Sequence, residues 1–134
     1  MIQPLNEPTM TDQKKVLIVD DDNRNIFALR ATLKAKGYPC LSVTDAREVL
    51  PLLKTEKGIG VVLMDMMMPE MDGYEAIAQI RSQAEVATLP IIAVTAQAMV
   101  GDKEKCLAAG ADDYISKPID VDVLIEKLNH YLSK

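Results

Sequence analysis

The residues in this sequence best placed to do chemistry are aspartates at the ends of short apolar runs. Val61-Val62-Leu63-Met64 runs straight into Asp65, and Val16-Leu17-Ile18-Val19 runs into Asp20, Asp21 and Asp22. Runs of this length and type suit strands buried on both faces of a parallel sheet. A carboxylate exposed at the end of such a strand is poorly placed for packing, and in open α/β sheets that end is where ligands bind. Capping a loop is the plain alternative for Asp65. Three adjacent carboxylates at 20–22 repel one another. A helix N-terminus offers its free N–H groups and dipole as partial compensation, and a divalent cation offers far more. An N-cap role suits Asp22 but is strained for all three. Two further strand ends carry polar groups. Pro90-Ile91-Ile92-Ala93-Val94 ends at Thr95, and Asp113-Tyr114-Ile115-Ser116 ends at Lys117-Pro118. A threonine there ordinarily reflects β-propensity and gains interest only beside Asp65. Lys117 is held extended by the proline that follows, and Lys117-Pro118 is a candidate cis bond. A solvated lysine near a turn is the plain alternative.

The elements that would position these groups alternate along the chain. After Asp22 comes a helix with Ile26, Phe27, Leu29 and Leu33 as its apolar stripe and Gly37 as its stop. Cys40-Leu41-Ser42-Val43 is a short strand. Thr44 or Asp45 caps a helix containing Val49, Leu50, Leu52 and Leu53, and Pro51 within it should kink the helix or shift its start. After Asp65, Pro69 and Asp72-Gly73 make a loop. Asp72 with Glu75 has capping-box spacing for a helix through Ile77 and Ile80 to about Ser82. Ala96 to Ala109 reads as a weak helix, with Gly101 lowering its propensity and a thin stripe of Met99, Cys106 and Leu107; Gly110 ends it. The last helix starts near Asp120 and carries Val121, Leu124, Ile125, Leu128 and Leu132 at helical spacing. Five strands alternating with five helices predict a doubly wound α/β protein with right-handed crossovers. Asp20, Asp21, Asp65, Thr95 and Lys117 would then meet on one edge of its sheet.

The bulk numbers agree with a single domain. The chain has 134 residues, 49% of them hydrophobic, and a formal net charge of -5, which argues against a nucleic-acid partner. Cys40 and Cys106 are far apart and form no metal or redox cluster; each reads as a small buried hydrophobe in a reduced, cytoplasmic protein. No apolar run approaches the ~18 residues of a membrane span. Residues 1–14 read as a flexible leader and 15–134 as the folded domain.

VLIVDDDN, LMDMMMPEMDG, IIAVTA and ADDYISKP, in this order and at these spacings, resemble the receiver domain of two-component response regulators. The resemblance covers about Val16 to Leu132. It implies a flavodoxin-like (βα)5 three-layer sandwich with a parallel five-stranded sheet in the order 2-1-3-4-5. It also implies that Asp65 is the phosphoacceptor. Mg²⁺, with Mn²⁺ as an alternative, would be held by Asp21 directly, by Asp20 largely through water, by Asp65 and by the backbone carbonyl of Met67. Lys117 and Thr95 would bind the phosphoryl oxygens, and Tyr114 would rotate inward as Thr95 moves, shifting the weak helix after Thr95. Charge counting fits this assignment. Three carboxylates carry -3 and a phosphoryl group adds about -2, so the +1 of Lys117 needs the +2 of a cation beside it. Met67 and Gln97 would flank the path of attacking water, so substitution at either should change the rate of phosphoryl loss.

The implied partners are a histidine kinase or histidine phosphotransfer protein upstream and an undetermined protein downstream, with no direct nucleic-acid or membrane contact. The protein would be a monomer or a phosphorylation-dependent dimer. Its chemistry would be limited to its own phosphorylation and hydrolysis, so it is not read as an enzyme. The start at Met1 and the short polar end lean the reading toward a stand-alone regulator; the phrases MPEMDGYEAI and GDKEKCLAAGADDYISKP look most like receivers of hybrid histidine kinases, so a receiver excised from such a kinase is the alternative. Asp20 and Asp22 also satisfy the D-x-D spacing of haloacid-dehalogenase-type phosphatases. Asn23-Arg24 is wrong for the rest of that motif, no cap domain fits, and Asp65 would be unexplained. A receiver that binds partners without phosphorylation is a further rival.

Overall fold

The computed structural model describes residues 14–67, 73–95 and 101–133. The strands are β1 (Lys15–Val19), β2 (Cys40–Val43), β3 (Ile59–Asp65), β4 (Ile91–Thr95) and β5 (Asp113–Ser116). Between and after them lie the helices α1 (Asn23–Ala35), α2 (Val49–Thr55), α3 (Gly73–Arg81), α4 (Asp102–Ala109) and α5 (Val121–Leu132). All strand pairs are parallel, in the order β2-β1-β3-β4-β5. This is the doubly wound, flavodoxin-like architecture expected, with β1 at the point where the winding reverses.

Alternation along the strands builds the two halves of the core. Val16, Ile18, Val61, Leu63, Ile92 and Val94 pack with Ile26 and Leu33 of α1 and Leu124 and Leu128 of α5. Leu17, Val19, Val62, Met64, Ile91 and Ala93 face the other way, against Val49 and Leu53 of α2, Ile77 and Ile80 of α3 and Cys106 of α4. Both faces of the central strands are therefore dry, which is why those strands read as unbroken apolar runs.

Local chemistry sets the helix ends. Asp22 caps α1 by accepting the Arg24 N–H, and that bond holds its carboxyl below the usual range. At the far end Gly37, with φ of 91°, donates its N–H to Lys34 O, and the Tyr38 N–H reaches Leu33 O. This is a Schellman stop, for which a left-handed glycine is suited. Asp45 caps a single 3-10 turn (Ala46–Glu48), and α-helical bonding begins at Val49. Pro51 thus falls in the first turn of α2, where its missing N–H is not needed, so it shifts the start of the helix.

Two expectations are corrected. Phe27 does not join the α1 stripe and is 76% exposed. Ile26, Leu29 and Leu33 share a face at i, i+3 and i+7, and Phe27 lies about 100° around the helix from Ile26. Gly101 is not inside α4 but precedes it at φ 94°, a left-handed conformation that stops the helix from running back through it. Gly110 ends α4 as expected, at φ 119°. Cys106 is buried, whereas Cys40 is half-buried and its thiol is pushed up by that burial. The leader through residue 13, Pro69, the Asp72 half of the capping box, Met99 and Gln97 lie outside the described residues. Among the described residues, no helix is long and apolar enough to cross a membrane.

Candidate functional site

Parallel pairing puts the carboxyl ends of β1, β3, β4 and β5 on one edge of the sheet. Val19 is in register with Met64, Asp65 with Val94 and Thr95 with Ser116. Asp20, one residue beyond Val19, therefore arrives beside Asp65. Carboxylate oxygens of Asp20, Asp21 and Asp65 lie within 4.8 Å of one another. From β5, Lys117 brings Nζ to 3.6 Å from Asp65 Oδ2 and 3.7 Å from Asp20 Oδ2. These four side chains converge as the strand ends foretold.

The structure differs from expectation in one respect: Asp65 is not an exposed carboxylate but is only 3% exposed, and Asp20 only 4%. Each is tethered in the same way. Asp65 Oδ1 accepts the Met67 N–H at 2.9 Å, and Asp20 Oδ1 accepts the Asp22 N–H at 2.9 Å. Both Oδ2 atoms turn toward Lys117. Its distances to them exceed hydrogen-bond length, so the ammonium balances two charges without being locked onto either. Asp21 is exposed at the mouth. The pocket carries three carboxylates and one ammonium. Burial pushes the Asp65 carboxyl above its ordinary range, the Met67 N–H and Lys117 pull it down, and Asp20 and Asp21 push it up again.

Thr95 is also buried, and its Oγ1 has no hydrogen-bond partner among the described residues. An unmade bond of this kind costs about 1–3 kcal/mol, so the hydroxyl is poised for an incoming acceptor. Its backbone is fixed, because Thr95 O accepts the Lys117 N–H at 2.8 Å. The Lys117-Pro118 bond is cis, as anticipated. Met67 is 63% exposed at the rim. Tyr114 is half-buried on β5, and Lys103 of α4 places Nζ 5.9 Å from its ring centroid. A groove of about 500 Å³ leads from Asp20 and Lys117 along Asn25, Leu29 and Thr32 of α1.

Sequence reasoning treated Gly73 only as part of a turn. A Cβ there would come within 2.5 Å of Met66 Sδ, 2.9 Å of Met66 Cα and 3.0 Å of the Asp65 carbonyl oxygen. Only glycine lets the start of α3 approach the backbone that carries Asp65 and Met67. The Asp72-Gly73 pair was the one available signal. Three carboxylates without histidine or cysteine form a hard-oxygen set that suits Mg²⁺ or Mn²⁺ better than a soft metal.

A flavodoxin-like sheet with an acidic, lysine-flanked pocket at its carboxyl edge defines the class. The sequence pattern of the response regulator receiver domain matches residues 16–129, and the chain belongs to that family, the receivers of two-component signalling. The polar-differentiation response regulator DivK of Brucella ovis is 38% identical over 119 residues, spanning 89% of this chain and 96% of DivK. The receiver domain of sensor histidine kinase PA1611 from Pseudomonas aeruginosa PAO1, solved with a magnesium ion coordinated in its active-site cleft, is 34% identical. It superposes with a TM-score of 0.82 over 91% of this chain and 99% of that one. A co-crystal of the Saccharomyces cerevisiae histidine phosphotransfer protein Ypd1 with the receiver domain of Ssk1 matches at 26% identity and a TM-score of 0.83, covering 92% of this chain and 91% of that one.

Proposed function

We propose that this receiver accepts a phosphoryl group on Asp65 from a phosphohistidine of a histidine kinase or phosphotransfer protein. The observation that carries the reading is the meeting of a buried Asp65 with Asp20, Asp21, Lys117 and a Thr95 hydroxyl that has no partner among the described residues, on one sheet edge. Asp20, Asp21, Asp65 and the Met67 carbonyl are the groups that would hold Mg²⁺. When bound, the ion supplies positive charge and oxygen coordination that offset the approach of an anionic phosphoryl group to a negative pocket.

The chain's own residues do the rest. The Met67 N–H fixes one oxygen of Asp65, which leaves Oδ2 as the nucleophile. Lys117 takes a phosphoryl oxygen as a point charge, and Thr95 turns its hydroxyl to another. The groove along α1 supplies a surface for the phosphodonor protein. Tyr114 and Lys103 tie β5 to α4, so movement of Thr95 is passed to the α4-β5-α5 face, where a downstream protein reads it. Met67 and Gln97 govern access of water to the phosphoryl group. Catalysis is confined to the protein's own phosphorylation and dephosphorylation.

Similarity to the PA1611 receiver supports a second reading, in which the chain serves as the receiver module of a hybrid kinase in a phosphorelay. The test of the main reading is labelling with acetyl phosphate in Mg²⁺. The wild-type chain should gain one acid-stable, base-labile phosphoryl group, and Asp65→Asn should gain none. Persistent label on the variant would sink the assignment.

A further inference from the structure

We infer that Met67 is a site of reversible oxidation by hydroperoxides that shortens the life of the phosphoryl group; the lifetime half of this inference rests on the Asp65 reading above. Three methionines stand within four residues of one another in the described part of the site. Met64 is 0% exposed and Met66 3%, whereas Met67 is 63% exposed. The Met66 sulfur is packed against the start of α3, so closely that a Cβ at Gly73 would meet it. Met64 lies among Val62, Ile77 and Ala93. The thioether of Met67 alone of these three is open to a solution oxidant, and its own N–H is bonded to Asp65 Oδ1 at 2.9 Å. The most accessible sulfur of the three is therefore joined by one hydrogen bond and two residues of chain to the carboxylate that the chemistry uses.

The step balances without further reagents. A lone pair on Met67 Sδ attacks the terminal oxygen of a hydroperoxide. The S–O bond forms as the O–O bond breaks, and the proton on the transferred oxygen passes to the departing alkoxide. The sulfur is oxidised by two electrons and the peroxide is reduced to an alcohol, or to water for hydrogen peroxide. The change converts a flexible apolar side chain into a polar one. A thioether is a poor partner for water, whereas a sulfoxide oxygen accepts hydrogen bonds strongly and would hold water at the rim beside the phosphoryl group. One added net hydrogen bond in the transition state is equivalent to about a fivefold faster loss of phosphoryl. A methionine sulfoxide reductase would reverse the change.

The experiment treats the full chain with graded hydrogen peroxide and locates each added oxygen by tandem mass spectrometry of the peptide carrying Met64, Met66 and Met67. The same samples are phosphorylated with acetyl phosphate in Mg²⁺, and the decay of the label is followed. Met67 should gain oxygen before Met64 and Met66, the label should decay about fivefold faster, and reductase treatment should restore the original decay. Met67→Leu, whatever its own lifetime, should show no change of lifetime with peroxide, and Met67→Gln should behave as permanently oxidised. Earlier oxidation of Met64 or Met66 would overturn the inference, as would an unaltered lifetime in protein oxidised at Met67, or a peroxide response that survives in Met67→Leu. Failure of the untreated protein to take label would overturn the Asp65 reading and the lifetime effect with it; labelling with a lifetime indifferent to peroxide would overturn this inference alone.

Discussion

Neutralising Asp65 should make the metal-free protein more stable. Asp20 and Asp21 stand within 4.8 Å of it, and at an effective dielectric of about 20 a like pair at that distance repels by about 3.5 kcal/mol. Lys117 at 3.6 Å attracts by about 4.6 kcal/mol on the same scale, but it is shared with Asp20, and solvent screens the exposed Asp21. The balance against an ionised Asp65 is about 1–2 kcal/mol, to which burial adds. Asp65→Asn removes that charge while its amide oxygen still accepts the Met67 N–H; its amide nitrogen takes the place of Oδ2, 3.6 Å from Lys117 Nζ, so the variant also gives up the attraction to that ammonium. In EDTA at pH 7 the urea midpoint should rise by about 0.5–1 M, taking an m-value of about 2 kcal/mol/M. The pH dependence has a definite sign. Asp65 has a folded pKa above its ordinary 3.8, so the folded state binds this proton more readily than the unfolded chain. Stability gained from it is present below the unfolded pKa and is lost as pH rises through the folded one. Metal-free wild type should therefore strengthen as pH is lowered through the raised folded pKa of Asp65, and the variant should not. Mg²⁺ should raise the wild-type midpoint more than that of the variant. A variant less stable than wild type in EDTA at pH 7 would show that Lys117 outweighs the repulsion and would refute the reasoning.

Two further outcomes follow from contacts other than those among the acidic side chains. Arg81 donates to Gly110 O at 2.8 Å, Ala87 O at 2.9 Å, Leu89 O at 2.7 Å and Asp112 Oδ2 at 2.8 Å, joining the end of α3 to the approach to β4 and the end of α4. Arg81→Ala should cost about 3–4 kcal/mol in urea unfolding, and Arg81→Lys should recover little, because an ammonium cannot span that fork; a loss under 1 kcal/mol would refute the clasp. Gly73→Ala should weaken Mg²⁺ binding about tenfold, as displaced supporting groups commonly do, with far-ultraviolet circular dichroism unchanged. Unaltered Mg²⁺ affinity would show that the Asp65–Met67 backbone yields without moving the ligands.

What the sequence made legible follows from locality. An apolar run ending in acid states both a strand and its polar end, and a parallel sheet gathers such ends without any knowledge of loops. Asp20, Asp21, Asp65 and Lys117 could therefore be placed together from the order of elements alone. The rest depends on partners far along the chain. Arg81 reads as an ordinary basic residue in a last helical turn, and its role appears only when Gly110 and Asp112, 29 and 31 residues later, are brought to it. The burial of Asp65 depends on a lysine two strands away, and the exposure of Phe27 depends on which half of a broad stripe meets the sheet.

Thr95 shows the division most sharply. Its type and its place at a strand end were legible, but the lack of a partner for its hydroxyl among the described residues was not, because an unsatisfied group is defined by every neighbour it lacks. That hydroxyl depends on register. Asp65 pairs with Val94, which faces α1 and α5, while Thr95, the next residue, faces the opposite way. A slip of one residue in β4 would exchange the two faces, burying Val94 at the pocket and removing the hydroxyl from it. The pairing of β3 with β4 is thus as much a part of the site as the carboxylates; the backbone bond that fixes it, Met66 N–H to Val94 O at 2.9 Å, lies at the pocket itself, beside the Lys117 N–H to Thr95 O bond at 2.8 Å that ties β4 to the end of β5.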